Sequence, residues 1–166
     1  LRRIFIFSAE KMKMRRRHVT PLPTQLVEQL ELLHQLTGRH QYLFPGIGTK
    51  NPTISENTIN NVFRLIGYKG RIVGHGGRHT ASTLLREHNW AKQLVDAQLS
   101  HKEKGTAGDY NHAIYLKQRR AMMQWYADYL DALKAGLTPA QREAFARRVQ
   151  GDPTIQSSPF VEDHTH

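Results

Sequence analysis

Residues 74–85 read GHGGRHTASTLL, and a second polar stretch, LSHKEKGTAGDY, occupies 99–110. The first places His75, Arg78 and His79 around a glycine pair, directly before a run with helical apolar spacing. The glycines allow the backbone to come close to a ligand. A helix starting near Arg78 would turn its free amides and the positive end of its dipole toward an anion. An arginine fork and imidazoles that exchange protons near neutral pH suit a phosphodiester. A metal fits less well, because Arg78 would set a fixed positive charge beside the ion and no carboxylate is near. Capping and surface roles for these residues stay open at this point.

In the second stretch His101 closes a helical segment, and Tyr110 follows it by nine residues across a loop containing glycine. Tyr115, Tyr126 and Tyr129 lie in or beside YLKQRRAMMQWYADYL, whose aromatic and Met pattern reads as packing. Tyr110 differs by its place after a loop that would let a nucleophile move. A third cluster, KMKMRRRH at 11–18, holds Lys11, Lys13, Arg15, Arg16 and Arg17. Such runs are solvated faces or strips that touch a nucleic-acid backbone without reading sequence. Lys13 stands just before an apparent hairpin turn, where one ammonium could reach a neighbouring site.

Working outward, IFIF at 4–7 and RHVTPL at 17–22 predict a β-hairpin or small sheet. Thr24 is expected to cap a helix that ends at Gly38, with Leu26, Leu30 and Leu33 on one face. YLFPGIGTKNPTI reads as loop. Ser55 is expected to cap a second helix ending at Gly67, with Ile59, Val62, Phe63 and Ile66 pointing inward. Further helices are expected over about 78–88, 90–100 and 113–135, with a short one after Thr138 and Pro139. The residues from 151 on are polar, contain proline and read as disordered. The fold class is therefore mainly α with a small N-terminal antiparallel hairpin, an α+β domain.

Composition narrows the function. The 166 residues carry 24 Lys and Arg against 14 Asp and Glu, a formal charge of +10. That balance attracts a polyanion, nucleic acid ahead of anionic lipid. No apolar run approaches the roughly 20 residues needed to cross a bilayer, and IFIF is too short for a signal peptide's apolar segment. Without cysteine there is neither a disulfide framework nor a thiolate metal site.

Taken as an ordered set, these residues resemble the catalytic domain of the tyrosine recombinases, the phage-type integrases, and most closely those of prophages and genomic islands. HGGRHTASTLL looks like the family's His-x-x-Arg-His box, and QLSH followed by Tyr110 looks like its nucleophile region. The resemblance implies a partial recombinase domain over 1–135, a short helix over 136–150 and a tail over 151–166. It implies that Tyr110 attacks a DNA phosphodiester and forms a 3′-phosphotyrosyl bond. Arg78 and His101 would hold the phosphate, His75 would assist proton transfer at the tyrosine, and Lys13 would protonate the leaving 5′-oxygen. His79 would support the box. The implied partners are double-stranded DNA at an attachment-site core, further copies forming a tetramer, and accessory bending or directionality factors. A bacterial cytoplasmic, nucleoid-associated location follows, with no membrane, metal or cofactor.

The sequence also departs from that family. Gly77 stands where it usually carries an apolar residue. A further catalytic arginine is expected on a helix ahead of the hairpin, whereas this chain opens on LRRIFIF. Arg2 and Arg3 match it by type only. The expectation is a fragment with an incomplete site. The rival readings are a catalytically silent DNA-binding remnant or regulator, and a metal-independent phosphodiesterase using His75 and His101.

Overall fold

Strand β1 (Ile4–Phe7) pairs antiparallel with β2 (His18–Pro21), setting Ile4 opposite Pro21 and Phe7 opposite His18. The structure, a computed structural model, describes residues 3–12, 15, 17–47, 52–101 and 115–150, with Lys11 and Gln150 by backbone alone. A 3-10 turn over Ala9–Lys11 begins the connection between the strands. Helices α1 (Thr24–Thr37), α2 (Thr58–Leu65), α3 (Gly76–Glu87), α4 (Lys92–Gln98), α5 (Leu116–Lys134) and α6 (Pro139–Gln150) follow. The mainly helical fold with one small hairpin is as the sequence predicts. The expected tail beyond 150 and the start of the 113–135 segment lie outside the described residues. None of the helices among the described residues is long and apolar enough to cross a membrane.

The chain divides into two compact units, Leu1–Thr24 with Ser82–His166, and Gln25–Ala81. The first holds the core: Leu85, Trp90, Leu94, Val95, Tyr115, Met122, Trp125, Tyr129 and Val149. Helix α5 supplies its spine, because Met122, Trp125 and Tyr129 recur every three to four residues and fall on one face. Trp125 and Tyr129 stack with centroids 5.1 Å apart, and Phe145 of α6 meets both edge-on. The Trp125 indole also donates to the Phe145 carbonyl at 3.1 Å. Full burial of side chains of this size contributes on the order of 1.5–3 kcal/mol each. The expectation that Tyr115 and Tyr129 pack holds; Tyr126 is half-buried.

The helix ends follow local chemistry. Helix α3 stops where Asn89 takes φ 63°, with the Trp90 amide donating to Leu85 O and the Asn89 amide to Arg86 O. This is the paired closure of a left-handed C-terminal cap, and its apolar partners Trp90 and Leu85 are both in the core. Helix α6 opens on a reciprocal box: Gln141 N donates to Thr138 Oγ1, and Thr138 N to Gln141 Oε1. Thr24 does not act as the expected cap. It is the first residue of α1, and its amide and hydroxyl both donate to Gln124 Oε1.

In the second unit α2 begins at Thr58, after a turn in which the Asn57 amide donates to Ser55 Oγ at 3.2 Å. Gly67, at φ +88°, ends it as predicted. Among the described residues, the stretch that reads as loop contains one antiparallel bridge, Pro45 opposite Thr53. The expected inward face of α2 is a correction. Ile59, Val62 and Ile66 are about half exposed or more, at 54%, 49% and 60%, and Phe63 alone is half-buried. Neither α1 nor α2 has a fully buried residue, so amphipathic spacing here finds no closed apolar layer within its unit.

Candidate active site

The approach to the His-Gly-Gly-Arg-His box is held by α2. Asn60 Oδ1 accepts the Gly74 amide at 2.8 Å, anchoring the loop one residue before His75. The Gly76 amide then donates to Val73 O at 2.8 Å, and the Arg78 amide to His75 O at 3.2 Å. Helix α3 thus starts at Gly76, two residues ahead of the sequence-based estimate. His75 precedes the helix, and Arg78 and His79 lie three and four residues on, which is the spacing that shares a helix face. The imidazoles of His75 and His79 meet edge-on with centroids 4.9 Å apart. Both are exposed, while Arg78 is half-buried.

This grouping combines a guanidinium fork, two imidazoles and the amides of a helix start, all of which favour an anionic oxygen. Among the described residues, no group of three or more His, Cys, Asp or Glu side chains could hold an ion.

His101 belongs to the first unit, at the end of α4. There Ser100 takes φ 53°, the His101 amide donates to Asp96 O at 2.9 Å, and the Ser100 amide to Ala97 O at 3.3 Å. A left-handed conformation at a residue with a side chain costs roughly 1–2 kcal/mol, so the position of His101 is held against local preference. Its side chain is held as well: Asp96 Oδ1 lies 3.0 Å from His101 Nδ1 and accepts Arg86 Nη2 at 2.9 Å. With Nδ1–H directed at the carboxylate, Nε2 takes no part in this contact.

Asp96, Arg86 and Asn60 were not singled out in the sequence. Asp96 stands five residues before His101, the separation that a left-handed C-terminal cap closes, so its signal was present in DAQLSH. Asn60 carries no comparable mark. Tyr110, Lys13 and Arg16 lie outside the described residues, as does the side chain of Lys11. Arg15 and Arg17 are exposed, with Arg15 at φ 51° in a turn closed by its amide donating to Met12 O.

The comparisons with known proteins agree among themselves. The family model described as "Phage integrase family" matches residues 1–117. The chain is 44% identical over 131 residues to "Prophage integrase IntS" of Escherichia coli (strain K12), and 43% identical over 131 residues to "Integrase" of Shigella phage Sf6. Each of these matches covers 78% of the chain and 34% of the relative. "Prophage integrase IntZ" of the same E. coli strain is 46% identical over 129 residues, which cover 77% of the chain and 32% of that protein. The chain thus spans about a third of the length of the curated relatives it matches. No solved structure matches it. A family match over most of the chain, joined to the ordered histidines and arginine, places this protein in the phage integrase family.

Proposed function

We propose that the chain carries part of the catalytic machinery for site-specific DNA recombination, the integration or excision of a prophage or genomic island. The observation that carries this reading is the grouping of His75, Arg78 and His79 at the start of α3 in a member of the phage integrase family. The net charge of +10 supports a DNA partner.

In this mechanism the Tyr110 oxygen attacks the scissile phosphorus, forming a tyrosine–phosphorus bond at the 3′ side as the bond to the 5′-oxygen breaks. Free tyrosine ionises near pH 10, so His75 assists removal of the phenolic proton. Lys13 gives a proton to the departing 5′-oxygen. Arg78 and the doubly protonated form of His101, with Nδ1–H on Asp96 and Nε2–H on the phosphate, hold the nonbridging oxygens, where negative charge accumulates, and preorganised donors of this kind each contribute on the order of 10²–10³ in rate. Asp96 keeps His101 oriented. The 5′-hydroxyl of a second strand then attacks the phosphotyrosine, breaking the protein–DNA bond and restoring a phosphodiester. The covalent intermediate conserves the bond energy, so no nucleotide triphosphate is consumed.

Domain-level proposals follow from the same reading: a partial recombinase domain over 1–135, completed by an arginine from the part of the relatives that the chain does not match. Assembly as a tetramer on an attachment-site core, accessory bending factors and a nucleoid-associated cytoplasmic location complete it.

The test is a nicked duplex bearing the core site, which traps the cleaved strand, incubated with the chain alone or fused to the unmatched part of a relative. A DNA-linked band on a denaturing gel, lost in Tyr110→Phe, is the expected result. Free cleaved ends without an adduct would identify a phosphodiesterase instead. DNA binding with no cleavage in either form would identify a silent module.

A further inference from the structure

Arg119 of α5 is fully buried, at 0% exposure, and with His18 it is one of two buried polar or charged residues among the described residues. Its Nε donates to Gln98 Oε1 at 2.9 Å and its Nη2 to the Val19 carbonyl at 2.6 Å. Gln98 is held a second time, because its carbonyl lies 3.2 Å from Nε2 of the buried His18. One guanidinium therefore ties together β2, the last residue of α4 and the first turn of α5.

Burial exacts a visible cost. Desolvation lowers the Arg119 pKa to about 10, which still leaves the group charged at neutral pH. The two oxygens that receive these hydrogen bonds are neutral, and well-packed apolar side chains often replace buried charges without loss of stability. What an apolar residue cannot supply is direction: a planar fork sets the relative register of the segments it bonds.

Those segments are the ones that bear the proposed chemistry. His101 lies three residues beyond Gln98, β2 closes the hairpin that carries Lys13, and α5 begins six residues after Tyr110. We propose that Arg119 is a positioning residue for strand cleavage, acting through Gln98 on His101 and through Val19 on the hairpin. It rests on the recombinase reading above and adds a residue that touches neither DNA nor the reacting atoms.

The test compares wild type, Arg119→Met and Arg119→Lys, each carried in the form of the protein that gives an adduct. Three quantities are read: the rate of adduct formation, the affinity for the same duplex, and the imidazole signals of His101 by NMR without DNA. For Arg119→Met we expect a folded protein with unchanged duplex affinity, shifted His101 signals and cleavage slower on the order of 10²-fold, the scale of a small misplacement of catalytic groups. Arg119→Lys, which keeps a donor and the charge, should recover part of the rate. Wild-type cleavage in Arg119→Met with unmoved His101 signals overturns the proposal. Should Arg119→Met fail to fold, Arg119→Lys decides: slowed cleavage with shifted His101 signals at unchanged affinity supports the assignment, and a wild-type rate defeats it. If wild type itself forms no adduct, the recombinase reading has failed and the role in cleavage falls with it. That outcome differs from one in which wild type and Arg119→Met cleave alike.

Discussion

Asp96 and His101 stand five residues apart in sequence and face each other across the end of α4, with Oδ1 3.0 Å from Nδ1. The same carboxylate oxygen accepts Arg86 Nη2 at 2.9 Å, so a residue of α3 steadies the residue that steadies the histidine. Asp96 is thereby tied from two sides.

Removing the carboxylate should release the imidazole. In neutral wild-type protein the ring proton is expected on Nδ1, facing Asp96; in Asp96→Ala the population should move toward Nε2–H. Two-bond proton–nitrogen NMR correlations of the imidazole distinguish these forms. On the proposed mechanism, adduct formation should fall on the order of 10²-fold, since a group that holds the phosphate loses its alignment. An unchanged tautomer pattern would show that the contact does not govern the ring.

Arg15 is exposed in the hairpin turn, and on the recombinase reading proposed above it would meet a phosphate of the DNA backbone. Arg15→Ala should weaken binding equally on cognate and unrelated duplexes. The slope of log affinity against log salt should flatten by about 0.9, the value for one released counterion. Fluorescence anisotropy at several salt concentrations measures both, and a loss confined to the cognate site would point to base contact instead.

Trp125 is 1% exposed and touches Trp90, His88, Tyr129 and Phe145. Trp125→Ala should destabilise the protein by about 3–5 kcal/mol through lost contacts and a residual cavity. Urea unfolding followed by circular dichroism reads the change. A loss under about 1 kcal/mol would mean that the neighbours collapse into the space.

His88 lies against the rings of Trp125 and Tyr129, at centroid distances of 4.8 and 4.7 Å. Burial lowers its pKa below the usual 6.5, while the charge of Glu87 acts in the opposite direction. The unfolded chain therefore takes up this proton first as the pH falls. Stability from neutral His88 is complete above about pH 6.5 and declines as the pH drops through that value toward the lower folded pKa. His88→Phe keeps an aromatic ring and should flatten this part of the profile. Melting temperatures of both proteins between about pH 7.5 and 5 check it, and parallel curves would exclude His88 as a source.

Gly77, the second residue of α3, has open space where a Cβ would stand, with nothing within 4 Å. Gly77→Ala should stabilise the protein by about 0.5–1 kcal/mol by restricting the unfolded chain. Thermal unfolding measures this. A lowered midpoint would show that the backbone at this position needs glycine's freedom.

The sequence by itself determined the hairpin, the order of the helices and several of their ends. Gly67 and the Thr138–Gln141 pair announce themselves because the conformations they favour are local. It also determined the family, because His75, Arg78 and His79 lie close together in the chain and keep their order relative to His101 and Tyr110. Burial was less accessible. The apolar spacing of α2 described a face but not what covers that face, so Ile59, Val62 and Ile66 were assigned to an interior they do not occupy. Only the tertiary structure decided that Asn60 holds the loop before His75, that Asp96 and Arg86 share His101, and that Arg119 reaches Gln98 and Val19. The Arg119–Val19 contact joins residues 100 positions apart, and a separation of that size leaves no periodic mark in a sequence. It is set by where helices and strands pack.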